Sequence, residues 1–172
     1  LQADLRWLPF ELHPETPPEG APKPFPPAEW PQVRARLERL AREVGLPIDP
    51  PKRNVNSRFA LETAELVRFQ KGDAVAGGFY HEVSRAFFTE QADISQQAVI
   101  VPIAQRFYVS ASDVEAAWRE RRFSPVVDAF IEEALLAGAT GVPAMAWPHR
   151  RAIVGMMPTS DLVHRLSIDK PS

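Results

Sequence analysis

A chain of 172 residues, 45% hydrophobic and with a formal net charge of −2, can close one core or a small domain with an insertion. That balance leaves no electrostatic footprint for nucleic acid. No run of eighteen apolar residues offers a membrane span, and no basic segment followed by an apolar one marks a secretory signal. With no cysteine, disulfides, thiolate metal sites and thiol nucleophiles are excluded within these residues, and the cytoplasm is the default compartment.

The elements follow in chain order. "RWLPFELHPETPPEG" at 6–20 begins in a segment where Leu5, Trp7, Leu8, Phe10 and Leu12 mix alternation with a short apolar run, and residues 3–12 are predicted as a strand. Prolines from Pro14 onward end it. The 18 prolines cluster at 14–31 and 47–51 as ordered loops flanked by apolar anchors. Trp30, Val33, Leu37, Leu40, Ala41 and Val44 recur at spacings of three and four, which predicts an amphipathic helix over 29–44 closed by Gly45 and Pro47. A second helix starts at Asn56 or Ser57, either of which can cap it, and ends at Gly72. Asp73 starts a third, with Val75, Phe79, Val83 and Phe87 spaced by four and weakened by Gly77 and Gly78. Residues 96–107 form a helix that Pro102 kinks or opens. Ser112 with Glu115 reads as a capping box, and Ser124-Pro125 as a cap followed by a first turn. Two apolar runs, 143–147 and 151–155, joined by "PHR", predict a β-hairpin. A last helix spans 158–166.

Few residues point to chemistry. His13, His81, His149 and His164 lie outside metal-ligand spacing of one another. No G-x-S-x-G elbow accompanies a serine, and "AGGF" at 76–79 lacks the lysine of a phosphate loop. Glu132 and Glu133 diverge on consecutive helix positions, and Arg119, Arg121 and Arg122 read as a solvated helix end. Gly141-Val142-Pro143 stands out because it directly precedes an apolar strand. Taken alone, Pro143 reads as a trans proline opening an edge strand.

Three stretches, taken in order, carry a resemblance. "WLPFELHPETPPEG" is similar to the second strand and following loop of DsbA-like proteins, especially the FrnE-type branch of dithiol-disulfide isomerases. "AFFTEQADIS" at 86–95 resembles that branch's mid-domain stretch. "GATGVPAMAW…AIVGMMPTSDLVHRL" at 138–166 resembles its terminal G-V-P, hairpin and helix. Asn56 matches a helix-capping asparagine of the branch.

The resemblance implies an α/β, thioredoxin-like (DsbA-type) sheet with a large all-α insertion. Residues 1–25 and 139–172 would form the incomplete thioredoxin-like part, and 26–138 the inserted helical domain, its last helix packing back on the sheet. The first strand, and the first helix with its Cys-x-x-Cys, would be absent from this chain. Val142 and Pro143 would form the cis-proline loop that binds substrate, and Trp7, Phe10, Asn56, Met156 and Met157 would line the groove. No cofactor or metal is expected. The implied partner is a thiol- or disulfide-bearing protein or small molecule, with neither nucleic acid nor membrane involved. The strand at 3–12 and the strand at 143–147 would each show an unpaired edge unless they pair with each other. Residues outside this sequence, rearranged pairing, or another chain, including a second copy, would have to cover those edges.

Three functions follow. In the first, the chain is part of a thiol-disulfide oxidoreductase. The second is a glutathione-dependent relative of 2-hydroxychromene-2-carboxylate isomerases and kappa-class transferases. Those proteins place a polar pair with an aspartate after the last strand, where this chain has Gly155, Met156, Met157 and Pro158. The third is a non-catalytic peptide-binding module using Met145, Trp147, Met156 and Met157.

Overall fold

The structure, a computed structural model, describes residues 5–23, 26–147 and 151–168. The hairpin turn with His149 lies outside the described residues. Among the described residues the order is β1 (Ala21–Pro22), α1 (Trp30–Glu43), β2 (Arg53–Asn54), α2 (Arg58–Lys71), α3 (Asp73–Glu90), α4 (Gln97–Arg106), α5 (Ala111–Arg119), α6 (Ser124–Leu136), β3 (Ala144–Met145), β4 (Ile153–Val154) and α7 (Thr159–Ile168). β1 pairs antiparallel with β2, and β3 with β4.

The core belongs to the helices. α2 is central, and it packs on α3, α4, α5 and α6. Leu66, Val67, Phe79, Ile100, Val109 and Val114 are fully buried there. Phe79 meets Phe107 edge-on, with ring centroids 5.9 Å apart. The Trp118 indole donates to Thr63 Oγ1 (2.7 Å), and that hydroxyl donates to the Phe59 carbonyl (2.7 Å). One threonine therefore satisfies a buried donor brought in from α5, as a buried indole requires. Gly77 and Gly78 weaken α3 locally, yet packing requires them. A Cβ at Gly78 would sit 2.9 Å from the Phe107 ring, and one at Gly77 would sit 3.2 Å from the Trp7 ring.

Three helices, α4, α5 and α6, end alike. After α6, Gly138 (φ +90°) donates to the Leu135 carbonyl and Ala139 to that of Ala134, the paired bonds of a Schellman cap. α4 and α5 close with the same pair of bonds, but with Tyr108 (φ 60°) and Arg121 (φ 51°) in the left-handed position.

The structure corrects several sequence expectations. Residues 5–12 form no strand, and among the described residues they do not pair with the hairpin. A strand needs a neighbour's amides and carbonyls, whereas this segment and the loop after it receive side-chain donors from α2 and from the residue that caps it. Arg68 donates to the Trp7 carbonyl, and Asn56 Nδ2 donates to the Thr16 carbonyl at 2.7 Å. The cap of α5 is Ser110, whose hydroxyl accepts from the Asp113 amide at 3.1 Å, and not Ser112 with Glu115. Ser124 is the first residue of α6 and Phe123 its cap, because the Ser124 hydroxyl is taken by an arginine. Pro102 lies inside α4. Asn56, rather than Ser57, serves the start of α2: its Oδ1 accepts from the Arg58 amide at 2.9 Å.

Candidate functional site

The hairpin is built onto the end of α6. The Schellman turn at Gly138 reverses the chain, and the Ala152 amide donates to the Ala137 carbonyl at 2.7 Å. β3 and β4 then pair Ala144 with Val154 and Met145 with Ile153. The Gly155 amide donates to the Pro143 carbonyl at 2.8 Å. Pro143 is exposed and follows a cis bond from Val142, which is 51% exposed. Met156, at 67%, stands in solvent, and Met157 is half-buried.

The second candidate set lies on the segment over residues 5–16, called the strap below. Its contacts run in order along α2 and back past its start: Trp7 with Arg68, Glu11 with Arg58, and Thr16 with Asn56. The strap is therefore antiparallel to the helix. Pro9 is fully buried and Glu11 nearly so, while Leu5, Trp7, Leu8 and Leu12 are exposed. Phe10 is half-buried. The Arg6 guanidinium lies 5.0 Å from the centre of the Phe130 ring on α6 and 3.3 Å from Asp73. The strap thus touches α6 near Phe130 and the hairpin touches it at Ala137, seven residues or about 10 Å along the axis. Among the described residues no hydrogen bond or ion pair joins Trp7, Phe10 or Asn56 to Val142, Pro143, Met156 or Met157. Asn56 has both ends of its amide engaged by backbone groups.

Charged residues that the sequence reading passed over hold the strap. Glu62 and Glu65, on the central helix, are almost fully buried, Glu62 at 1% exposure. Arg58 Nε and Arg121 Nη2 both donate to Glu62 Oε1 at 2.9 Å, and Oε2 has no hydrogen-bond partner. Glu65 accepts from Arg68 Nε at 2.9 Å and from the Tyr80 hydroxyl at 3.2 Å. Burial, then the Glu65 carboxylate beside it, pushes the Tyr80 phenol well above its ordinary value. Burial alone would lower Arg58, but the hydrogen bonds it donates to Asp128, Glu11 and Glu62 outweigh it and raise it above the usual arginine range. Arg121 does not read as a solvated helix end, since its guanidinium also lies over the Phe59 ring at 5.0 Å. The only sequence signal for these pairs is spacing: Arg58 to Glu62 is four residues, and Glu65 to Arg68 is three.

Away from both sets, a cleft of about 570 Å³ opens between the start of α4 and α5, with Phe59, Gln96, Gln97, Glu115, Trp118 and Arg119 in its wall. None of the candidate groove residues lines it. Among the described residues no group of three His, Asp or Glu side chains could hold a metal, and no helix is long and apolar enough to cross a membrane.

A helical bundle, a proline-led hairpin and a final helix define a class. The sequence model of the DSBA-like thioredoxin domain matches residues 1–167, and the chain belongs to that family. Its fold is the thioredoxin-like DsbA fold with a helical insertion. A probable DsbA oxidoreductase from Streptomyces coelicolor superimposes with a TM-score of 0.77 at 21% identity, over 95% of this chain and 75% of that one. A 2-hydroxychromene-2-carboxylate isomerase gives 0.67 at 18% identity, over 82% of this chain and 65% of its own. A candidate protein disulfide isomerase from Nitrosomonas europaea gives 0.63 at 17%, over 87% and 77%. No curated protein matches the chain.

Proposed function

We propose that this chain is part of a thiol-disulfide oxidoreductase of the FrnE-like branch. In this reading residues 1–25 and 139–172 are the thioredoxin-like, substrate-facing part, and 26–138 the inserted helical domain over it. Val142 and Pro143 meet the substrate backbone. Trp7, Phe10, Met156 and Met157 receive its side chains, and Asn56 holds the start of α2 in register. A Cys-x-x-Cys helix contributed from outside these residues supplies the thiolate, because exchange requires a thiolate to attack a sulfur and the sequence has no cysteine. A helix N-terminus would stabilise that thiolate through its free amides and macrodipole. The substrate is a thiol- or disulfide-bearing protein or small molecule.

The observation that carries this reading is the family match over residues 1–167. Two apolar surfaces support it, one on the strap and one on the hairpin, both anchored to α6. The glutathione-dependent alternative is disfavoured by Met156, an exposed thioether where a charged amino-carboxylate group would need polar partners. The reading frame ahead of Leu1 is the first test. Cys-x-x-Cys there, with disulfide reduction by the extended chain that is lost on Cys→Ser, supports the proposal. Serine in the first cysteine's place with glutathione binding would favour the isomerase-like alternative. An initiator methionine directly before Leu1 would leave peptide binding and overturn the redox role.

A further inference from the structure

Arg58 is the most heavily used side chain among the described residues. Its Nε donates to Glu62 (2.9 Å), and its Nη1 donates to Glu11 on the strap (2.8 Å). Its Nη2 reaches the carbonyl of Ser124 (2.9 Å), the hydroxyl of Ser124 (2.7 Å) and Asp128 (2.6 Å), all on α6. All three nitrogens are engaged, each toward a different part of the chain. Glu11 and Arg58 are nearly buried, with side-chain exposures of 10% and 13%, so this is not a solvated surface pair of little consequence. Asn56, two residues earlier, adds the neighbouring bond to Thr16.

We propose that Arg58 is a positioning residue. One guanidinium latches the strap, α2 and the first turn of α6 together, and so fixes Trp7 and Phe10 relative to the hairpin that follows α6. This inference rests on the groove reading only for the name of what is positioned. The planar fork is essential. Its five N–H groups point in fixed directions, and a lysine ammonium, a single point of charge, can serve Glu62 or Glu11 but cannot span to Ser124 as well. Arg68, through Glu65 and the Trp7 carbonyl, holds the other end of the strap. Breaking Arg58 should therefore open the strap from the Glu11 side while Trp7 stays held.

Limited chymotrypsin digestion of the whole chain reads this directly, with cleavage after Phe10 and after Leu12 reporting the opened fraction when closing is fast. Each rate is divided by that of a free peptide of the same 5–16 sequence. Arg58→Gln should raise both rates at least tenfold, Glu11→Gln at least threefold, and Arg58→Lys by an intermediate factor. Arg34→Gln, which removes a more exposed bridge to Glu38 and Asp49 on the α1 side, should stay within twofold of the parent. Glu11→Gln leaves every helix intact and decides the question if Arg58→Gln does not fold. Unchanged rates in both variants would overturn the latch, as would acceleration spread equally over sites in α2–α5. No thiol enters this assay, so its failure leaves the oxidoreductase reading standing, and the loss of that reading leaves the latch standing.

Discussion

The bundle and the strap-plus-hairpin region hold themselves together in opposite ways. In α2–α5, apolar side chains at helical spacing face one another, and the polar groups caught inside, such as Thr63 and the Trp118 indole, satisfy each other. In the strap and hairpin, polar side chains and backbone groups make the attachments, while Trp7, Val142, Val154 and Met156 face outward. The first region is stabilised by area removed from water. The second is held at a few points and still has apolar surface to cover. Stability should therefore concentrate in the bundle, and contact with other molecules in the periphery.

Substitutions can break or sharpen that contrast. The largest effect is expected inside the bundle. Phe79→Ala removes a fully buried ring and should cost about 3–5 kcal/mol in urea unfolding; a loss under about 1 kcal/mol would mean that the bundle is not the main source of stability. Thr63→Val keeps the volume but leaves the Trp118 N–H buried without an acceptor. It should cost about 1–3 kcal/mol, read as a lower denaturation midpoint with an unchanged slope.

The two left-handed turns provide a paired test. Tyr108 is exposed and has a positive φ, so Tyr108→Gly should raise stability by about 0.5–1 kcal/mol through relief of backbone strain. Arg121 has the same backbone geometry but also meets Glu62 and Phe59. Arg121→Gly should therefore lower stability. Thermal melts of the two variants moving in the same direction would refute the role given to the Glu62 pair.

Alkaline titration probes the Tyr80–Glu65 contact. Because the folded phenol is raised, the unfolded chain loses its proton first, near the ordinary tyrosine value of about 10. Above that pH the unfolded state binds fewer protons, so stability falls as pH rises. In Tyr80→Phe the urea midpoint should fall less steeply between about pH 9 and pH 11. The smallest effect is expected at the periphery. Met156→Ser should shift stability by less than about 0.5 kcal/mol, and a larger loss would show that the hairpin's apolar face is already covered.

The helices were legible because the three-and-four spacing of apolar residues survives folding unchanged: Phe79 and Val83 on α3 are buried as read. The hairpin was legible from two short apolar runs, although its paired core is only two residues on each side. The strap was misread because alternation reports strand propensity, not the presence of a neighbouring strand. Glu62 and Glu65 were passed over because carboxylates are seldom buried unless paired, and part of that pairing comes from outside α2, from Arg121 and Tyr80. The candidate groove residues came from resemblance, and folding places Trp7 and Phe10 on the strap, Asn56 just before α2, and Met156 and Met157 just after the hairpin.

The four tryptophans are distributed unequally between the two regions. Trp118 is 5% exposed and hydrogen-bonded within the bundle, Trp7 on the strap is 56% exposed, and Trp30 and Trp147 lie between these extremes. An aqueous quencher such as iodide would dim the strap's indole while the bundle's kept its blue-shifted emission. With Trp30 and Trp147 replaced by phenylalanine, the chain would keep one optical reporter on each side of the Arg58 junction, and strap movement could be followed without attaching a dye.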